Sequence, residues 1–235
     1  LQLRLFANPM FSVAMFMTLV TQFCFFGSQY ILPLFLQNAR RLGAAETGLI
    51  LFPSAILDFA AINISGRLYN RFGPRPFALV GLAALAITAV SLSRVSATTG
   101  AVDIALVASL RGLGMGLCMM PVTTMAYNTV PQVLMPRATA LQNVLQRIFA
   151  SASTAVLTTI LVVSLAAHGA PAGATVDSGS VPVSFLVRSF SDAFMAMAVV
   201  AGVGTVVALF LRDQVLKEHQ AQTRGAAALE LNVEG

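Results

Sequence analysis

The sequence predicts an all-α polytopic membrane protein with six transmembrane helices, and three observations predict it. Of 235 residues, 57% are hydrophobic and only 10% charged, where soluble domains carry about a quarter charged residues; the mean hydropathy is +0.82. The apolar residues gather into six runs that approach or exceed the ~20 residues a helix needs to cross a bilayer. The arginines collect in short turns between runs, most densely in Gly66-Arg67-Leu68-Tyr69-Asn70-Arg71-Phe72-Gly73-Pro74-Arg75. The helices form one unit over residues 1–211, followed by a tail over 212–235.

The first span, Phe11–Leu36, carries Thr18, Gln22 and Gln29 among Phe23, Phe25, Phe26 and Tyr30. Aromatic rings with occasional amides suit a broad apolar binding surface, although such rings serve packing equally well. The second, Thr47–Tyr69, contains Asp58 and runs into the arginine-rich turn; the third, Pro76–Ser93, leaves it. The fourth, Asp103–Tyr127, holds Arg111 and Gly112-x-Gly114-x-Gly116. Those glycines follow no strand and lie inside an apolar run, so they fit close helix packing rather than a nucleotide loop. Pro33, Pro53 and Pro121 lie inside spans, where they kink or loosen a helix.

The fifth span, Ala138–Ala166, places Asn143, Arg147, Ser151, Thr154 and Thr158 at steps of four, four, three and four, hence on one helix face, with Gln146 beside them. A polar stripe that long faces a cavity or another helix rather than lipid. A Gly-, Ser-, Pro- and Ala-rich stretch, 168–182, reads as a flexible loop. The sixth span is Phe190–Leu211, and the tail beyond it reads as a frayed end.

Basic residues in short loops resist translocation. Placing the Gly66–Arg75 turn in the cytoplasm puts Arg4, Arg67, Arg71, Arg75, Arg137, Arg212, Lys217 and Arg224 inside, and Arg40, Arg41, Arg94 and Arg188 outside. Both ends of the chain are then cytoplasmic. The chain has no initiating Met and no signal-peptide pattern, and it reads as the later part of a longer polypeptide.

Ionisable groups inside spans are costly and are functional candidates by default. At 1.5 Å per residue, Asp58 and Arg111 lie about 16 Å and about 12 Å from the outer ends of their spans, with Arg147 at a comparable depth. Asp58 and Arg111 either form an internal ion pair that locks two helices, or Asp58 takes a cationic substrate or a proton beside Arg111 and Arg147.

Other classes are excluded. The basic residues are not clustered on a solvated face, so nucleic acid is not a partner. His168 has no ligand at metal spacing, and no metal or cofactor is expected. Cys24 and Cys118 lie within spans as small apolar side chains. There is no His-Glu-x-x-His, no paired His/Asp cluster and no Gly-x-Ser-x-Gly elbow, so no catalytic residue is assigned.

Gly66-x-Leu68-x-Asn70-Arg71-x-Gly73-x-Arg75 resembles the loop signature of the major facilitator superfamily, Gly-x-Leu-x-Asp-Arg-x-Gly-x-Arg, with Asn70 in place of the acid. The weaker second copy of that signature often lacks the acid. Leu3–Phe11, Leu32–Gln37, Gly48-Leu49-x-x-Phe52-Pro53, Arg111–Gly116 and Ala138–Arg147 are in turn similar to the last six spans of the fourteen-span drug:proton antiporters. The antiporter signature of earlier spans has no counterpart here.

The resemblance implies a carboxyl-terminal half built from two inverted three-helix repeats, working by alternating access with an amino-terminal half. It implies proton-coupled efflux of drug-like or amphipathic compounds across a bacterial cytoplasmic (inner) membrane. The implied partners are the lipid bilayer, a small-molecule substrate, protons and the amino-terminal half. Gly66, Asn70, Arg71, Gly73 and Arg75 would form the cytoplasmic gating loop, and Asp58, Arg111, Asn143, Gln146, Arg147, Gln22 and Gln29 the substrate or proton path. The alternatives are a metabolite importer of the same superfamily and a non-transporting membrane partner subunit.

Overall fold

In the computed structural model, which describes residues 9–96, 99–128, 135–169 and 182–209, each of the six apolar runs is a helix. They are α1 (Pro9–Asn38), α2 (Ala44–Phe72), α3 (Pro74–Ser93), α4 (Ala101–Asn128), α5 (Met135–Ala167) and α6 (Val183–Leu209). All six are long and apolar enough to cross a membrane. The observed helices extend past most of the predicted limits because backbone hydrogen bonding continues beyond the apolar stretch. The largest difference is at the start of α6, at Val183 rather than Phe190. Ser184, Arg188 and Ser189 dilute the hydropathy there, yet Leu186 and Ser189 are buried against the bundle. The tail 212–235 and most of the 168–182 loop lie outside the described residues.

Helix ends follow local chemistry. Glu46 in the first turn of α2 accepts the Gly43 N–H at 3.3 Å, satisfying a donor that the helix leaves free. Gly73 alone separates α2 from α3, at φ 75° and ψ −179°, a region essentially reserved for glycine. Its N–H closes α2 on Tyr69 O at 2.8 Å, and Pro74 opens α3 with its φ already helical.

The packing has a simple plan. α2 lies chiefly on α4; α3 packs on α4 and α6; α1 packs on α5, α6 and α4. Exchanging α1 with α4, α2 with α5 and α3 with α6 converts α2–α4 into α5–α1 and α3–α4 into α6–α1, and leaves α3–α6 and α1–α4 in place. The largest core cluster joins Ile31, Leu32, Phe35 and Leu36 of α1 to Leu157 and Leu161 of α5 and Phe190 and Phe194 of α6. Phe35 meets Phe190 edge to face at 5.4 Å between ring centroids.

Glycine sets the closest approach. A Cβ on Gly112 would stand 2.1 Å from Ser54 O, and one on Gly116 would stand 2.4 Å from Asp58 O, so both glycines let α4 press on the α2 backbone. Gly114, between them, faces Gly81 of α3. Ser65 Oγ reaches Gly116 O at 3.1 Å and Ser153 Oγ reaches Phe23 O at 2.8 Å, tying α2 to α4 and α5 to α1. α2 leaves Leu49, Phe52, Ile56, Phe59 and Ile64 exposed.

Candidate functional site

Asp58 and Arg111 meet at one cavity. Its volume is about 310 Å³, and it is walled by Phe25 and Gln29 of α1, Gly48, Phe52, Ser54 and Asp58 of α2, and Arg111 and Met115 of α4. The α2–α4 contact at Gly112 brings the carboxylate helix and the guanidinium helix together.

The two charges share no hydrogen bond. Arg111 Nη1 donates to Ser28 Oγ at 2.8 Å and Nη2 donates to Ser54 Oγ at 3.5 Å. Ser28 and Ser54 give their own hydroxyl protons to Phe25 O and Leu51 O, at 3.0 and 2.7 Å. Their lone pairs are therefore free to accept from the guanidinium. Asp58 Oδ1 is buried without a hydrogen-bond partner, and so is Arg111 Nε. Arg111 is thus anchored by neutral dipoles, and Asp58 feels its charge without bonding to it, in a space walled by Phe25 and Phe52 together with Gln29 and Ser54. Asp58 and Arg111 interact as charges at this cavity without a hydrogen bond between them, a geometry that accommodates both the internal ion pair and the ligand or proton site expected for the pair.

Gln29 lines the cavity, but Gln22 does not; it is buried in the bundle with Oε1 unpartnered. On α5, Asn143 and Arg147 are exposed and Gln146 is half-buried. The stripe continues into a second, open groove of about 720 Å³, where Ser151, Thr154, Thr158 and Thr159 face Tyr30 of α1, with Ala155, Val162 and Val163. Arg147 itself is not part of that wall.

The arginine-rich signature is mostly helix rather than loop. Gly66, Asn70 and Arg71 belong to the last turns of α2, and only Gly73 interrupts the backbone. The Asn70 side chain lies outside the described residues. Arg67 and Arg71 are exposed, with the Arg71 guanidinium 5.5 Å from the Phe72 ring centroid. Arg75 Nη2 donates to Leu209 O at 3.3 Å, which ties the turn to the end of α6.

Three groups escaped sequence reasoning. Ser28 and Ser54 anchor Arg111; the four-residue step from Ser54 to Asp58 was the available sign for one of them. At the far end of the bundle Ser164 of α5 donates to Asp192 of α6, and His168 Nδ1 lies 2.7 Å from Ser164 O. Ser164 and His168 share a four-residue step, but no local pattern connects either to Asp192. Among the described residues, no group of His, Cys, Asp and Glu could hold a metal ion.

Comparison with known proteins adds to this geometry. A family model described as Major Facilitator Superfamily matches residues 2–154. The "Uncharacterized MFS-type transporter YhcA" of Bacillus subtilis is 35% identical over 160 residues, 68% of this chain and 30% of that protein. The "Lincomycin resistance protein LmrB" of Listeria monocytogenes is 29% identical over 215 residues, 90% of this chain and 45% of that one. The "Multidrug resistance protein B homolog" of Mycobacterium tuberculosis is 28% identical over 252 residues, 97% and 46% respectively. The chain spans less than half the length of these relatives.

Proposed function

The chain belongs to the Major Facilitator Superfamily, and on that premise we propose that it is the carboxyl-terminal half of a proton-coupled exporter of drug-like or amphipathic compounds. The superfamily comprises integral membrane transporters, not enzymes. The half-transporter reading is supported by six spans in a chain that covers 45% and 46% of relatives named for lincomycin and multidrug resistance. The packing exchange pairs helices that run in opposite directions, α1 with α4, α2 with α5 and α3 with α6, which supports two inverted three-helix repeats. Arg67, Arg71, Arg75 and Arg137 at one end of the bundle favour that end as the cytoplasmic one, in a bacterial inner membrane.

The observation that carries the reading is the Asp58 carboxylate midway along α2, whose Oδ1 has no hydrogen bond and which shares a cavity with Arg111. A carboxylate with no hydrogen bond to a protein group can bind either a proton or a cation, and one excludes the other. When the cavity opens outward, proton entry expels the cation; when it opens inward, proton loss readies the site for the next one. That competition couples proton influx to cation efflux, and rocking of this half against the amino-terminal half supplies the alternation.

The test uses the full-length transporter in inside-out vesicles carrying an imposed pH gradient and a fluorescent cationic dye. Gradient-driven accumulation is expected, and Asp58→Asn should lower it about ten-fold or more. Transport indifferent to collapse of the gradient would defeat the antiport reading, and wild-type coupling in Asp58→Asn would remove Asp58 from it.

A further inference from the structure

The Asp58 cavity and the α5 groove are neighbours, divided by α1. Gln29 lines the first and Tyr30 lines the second. Consecutive Cα atoms are 3.8 Å apart, so the two spaces flank the same turn of one helix. Phe26, one turn before Tyr30, is exposed on that helix, as is Tyr30 itself.

Their chemistries are complementary rather than alike. The Asp58 cavity has a carboxylate with an unbonded Oδ1, beside the Arg111 guanidinium. The groove wall has no charge and five hydroxyls, from Tyr30, Ser151, Thr154, Thr158 and Thr159. Thr154 and Thr159 donate to Ser151 O and Ala155 O of their own helix, at 2.9 and 2.8 Å, and so present lone pairs outward. Among the described residues, the side chains of Ser151, Thr158 and Tyr30 have no hydrogen-bond partner, and each can donate or accept. Arg147, exposed one turn before Ser151, makes that end of the groove positive and unfavourable to a cation.

Resting on the exporter reading above, we propose that the substrate site is bipartite: the cationic group of a ligand sits at Asp58, and a neutral, hydroxyl- or amide-bearing part lies in the α5 groove, bridged across Phe26 and Tyr30. The preferred substrates are elongated monocations whose charge and hydrogen-bonding body are separated by about the 10 Å width of a helix. Compact cations without hydrogen-bonding groups use the Asp58 side alone.

The test is a binding measurement on purified full-length transporter in lipid nanodiscs, with two probes. Tetraphenylphosphonium is a compact cation without donors or acceptors; doxorubicin carries its ammonium at one end and a hydroxylated ring system at the other. In the double variant Ser151→Ala/Thr158→Val, the doxorubicin Kd should rise about ten-fold, from the loss of two neutral hydrogen bonds, while the tetraphenylphosphonium Kd stays within about two-fold of wild type. Neither hydroxyl makes a hydrogen bond among the described residues, so the melting temperature should be unchanged. Asp58→Asn should weaken both probes. An unchanged doxorubicin Kd in the double variant, or equal weakening of both probes, overturns the bipartite site while leaving the exporter reading in place if Asp58→Asn still weakens both. If Asp58→Asn weakens neither, both fall.

Discussion

Replacing Gly112 by alanine tests the α2–α4 contact on which the Asp58 cavity depends. The new Cβ would lie 2.1 Å from Ser54 O, 3.0 Å from Ser54 C and 3.3 Å from Asp58 N. All three are backbone atoms, so no rotamer change relieves the overlap. Restoring ordinary contact needs the helices to part by about 1 Å, and overpacking of that kind costs about 1–3 kcal/mol. At about 2–4 °C per kcal/mol for a unit of this size, the melting temperature should fall by roughly 2–12 °C.

Gly66 supplies the control. A Cβ there meets nothing within 4 Å, and alanine in a helix interior is favoured over glycine by about 0.5–1 kcal/mol. Gly114→Ala should fall between the two, since its Cβ would lie 2.9 Å from Gly81 O and 3.1 Å from Ala84 Cβ. The assay is thermal denaturation of the full-length protein followed by fluorescence-detected size exclusion. A Gly112→Ala protein melting at or above wild type, or a Gly66→Ala protein falling as far, would refute the close-contact account.

Ser28→Ala removes one acceptor from a partly buried guanidinium and should cost about 1–3 kcal/mol in the same melting assay; an unchanged melting temperature would mean Arg111 finds another anchor. Arg75→Ala releases the carbonyl end of α6 and should cost about 0.3–1 kcal/mol. Hydrogen exchange should rise at residues 205–209 without rising in α5. Cys24 and Cys118 are 2% and 0% exposed, so a membrane-permeant maleimide should leave both unlabelled in the folded protein and modify both in dodecyl sulfate; rapid labelling of the native protein would contradict their burial.

All six helices were legible because each is a long apolar run, and length with composition suffices to find them. Their ends were less so. The start of α6 was missed because burial of Leu186 and Ser189 by the bundle, not local hydropathy, keeps that stretch helical. The arginine signature reads as a loop from its charge, yet Arg67 and Arg71 continue α2 into the polar region and a single glycine ends it. At the candidate site, helical rise placed Asp58 and Arg111 at one depth but could not say which partners each would choose; two serines took the guanidinium. Gln22 and Gln29 are seven residues apart and share a face, yet one is buried and the other lines the cavity. Periodicity reports direction, not which neighbour stands there.

The reliance of α2 on α4 has a consequence for synthesis. α2 makes little contact with α1 or α3, so when it enters the bilayer its proper neighbour has not yet been made. Arg111 follows Phe72 by 39 residues, which at about 5–20 residues per second is roughly 2–8 s of translation. Throughout that interval Asp58 waits in the membrane without the helix that shelters it. A chain stopped before Gly112 leaves a span whose acid lacks its packing partner, a costly state in hydrocarbon. The cavity comes into being only when α4 arrives.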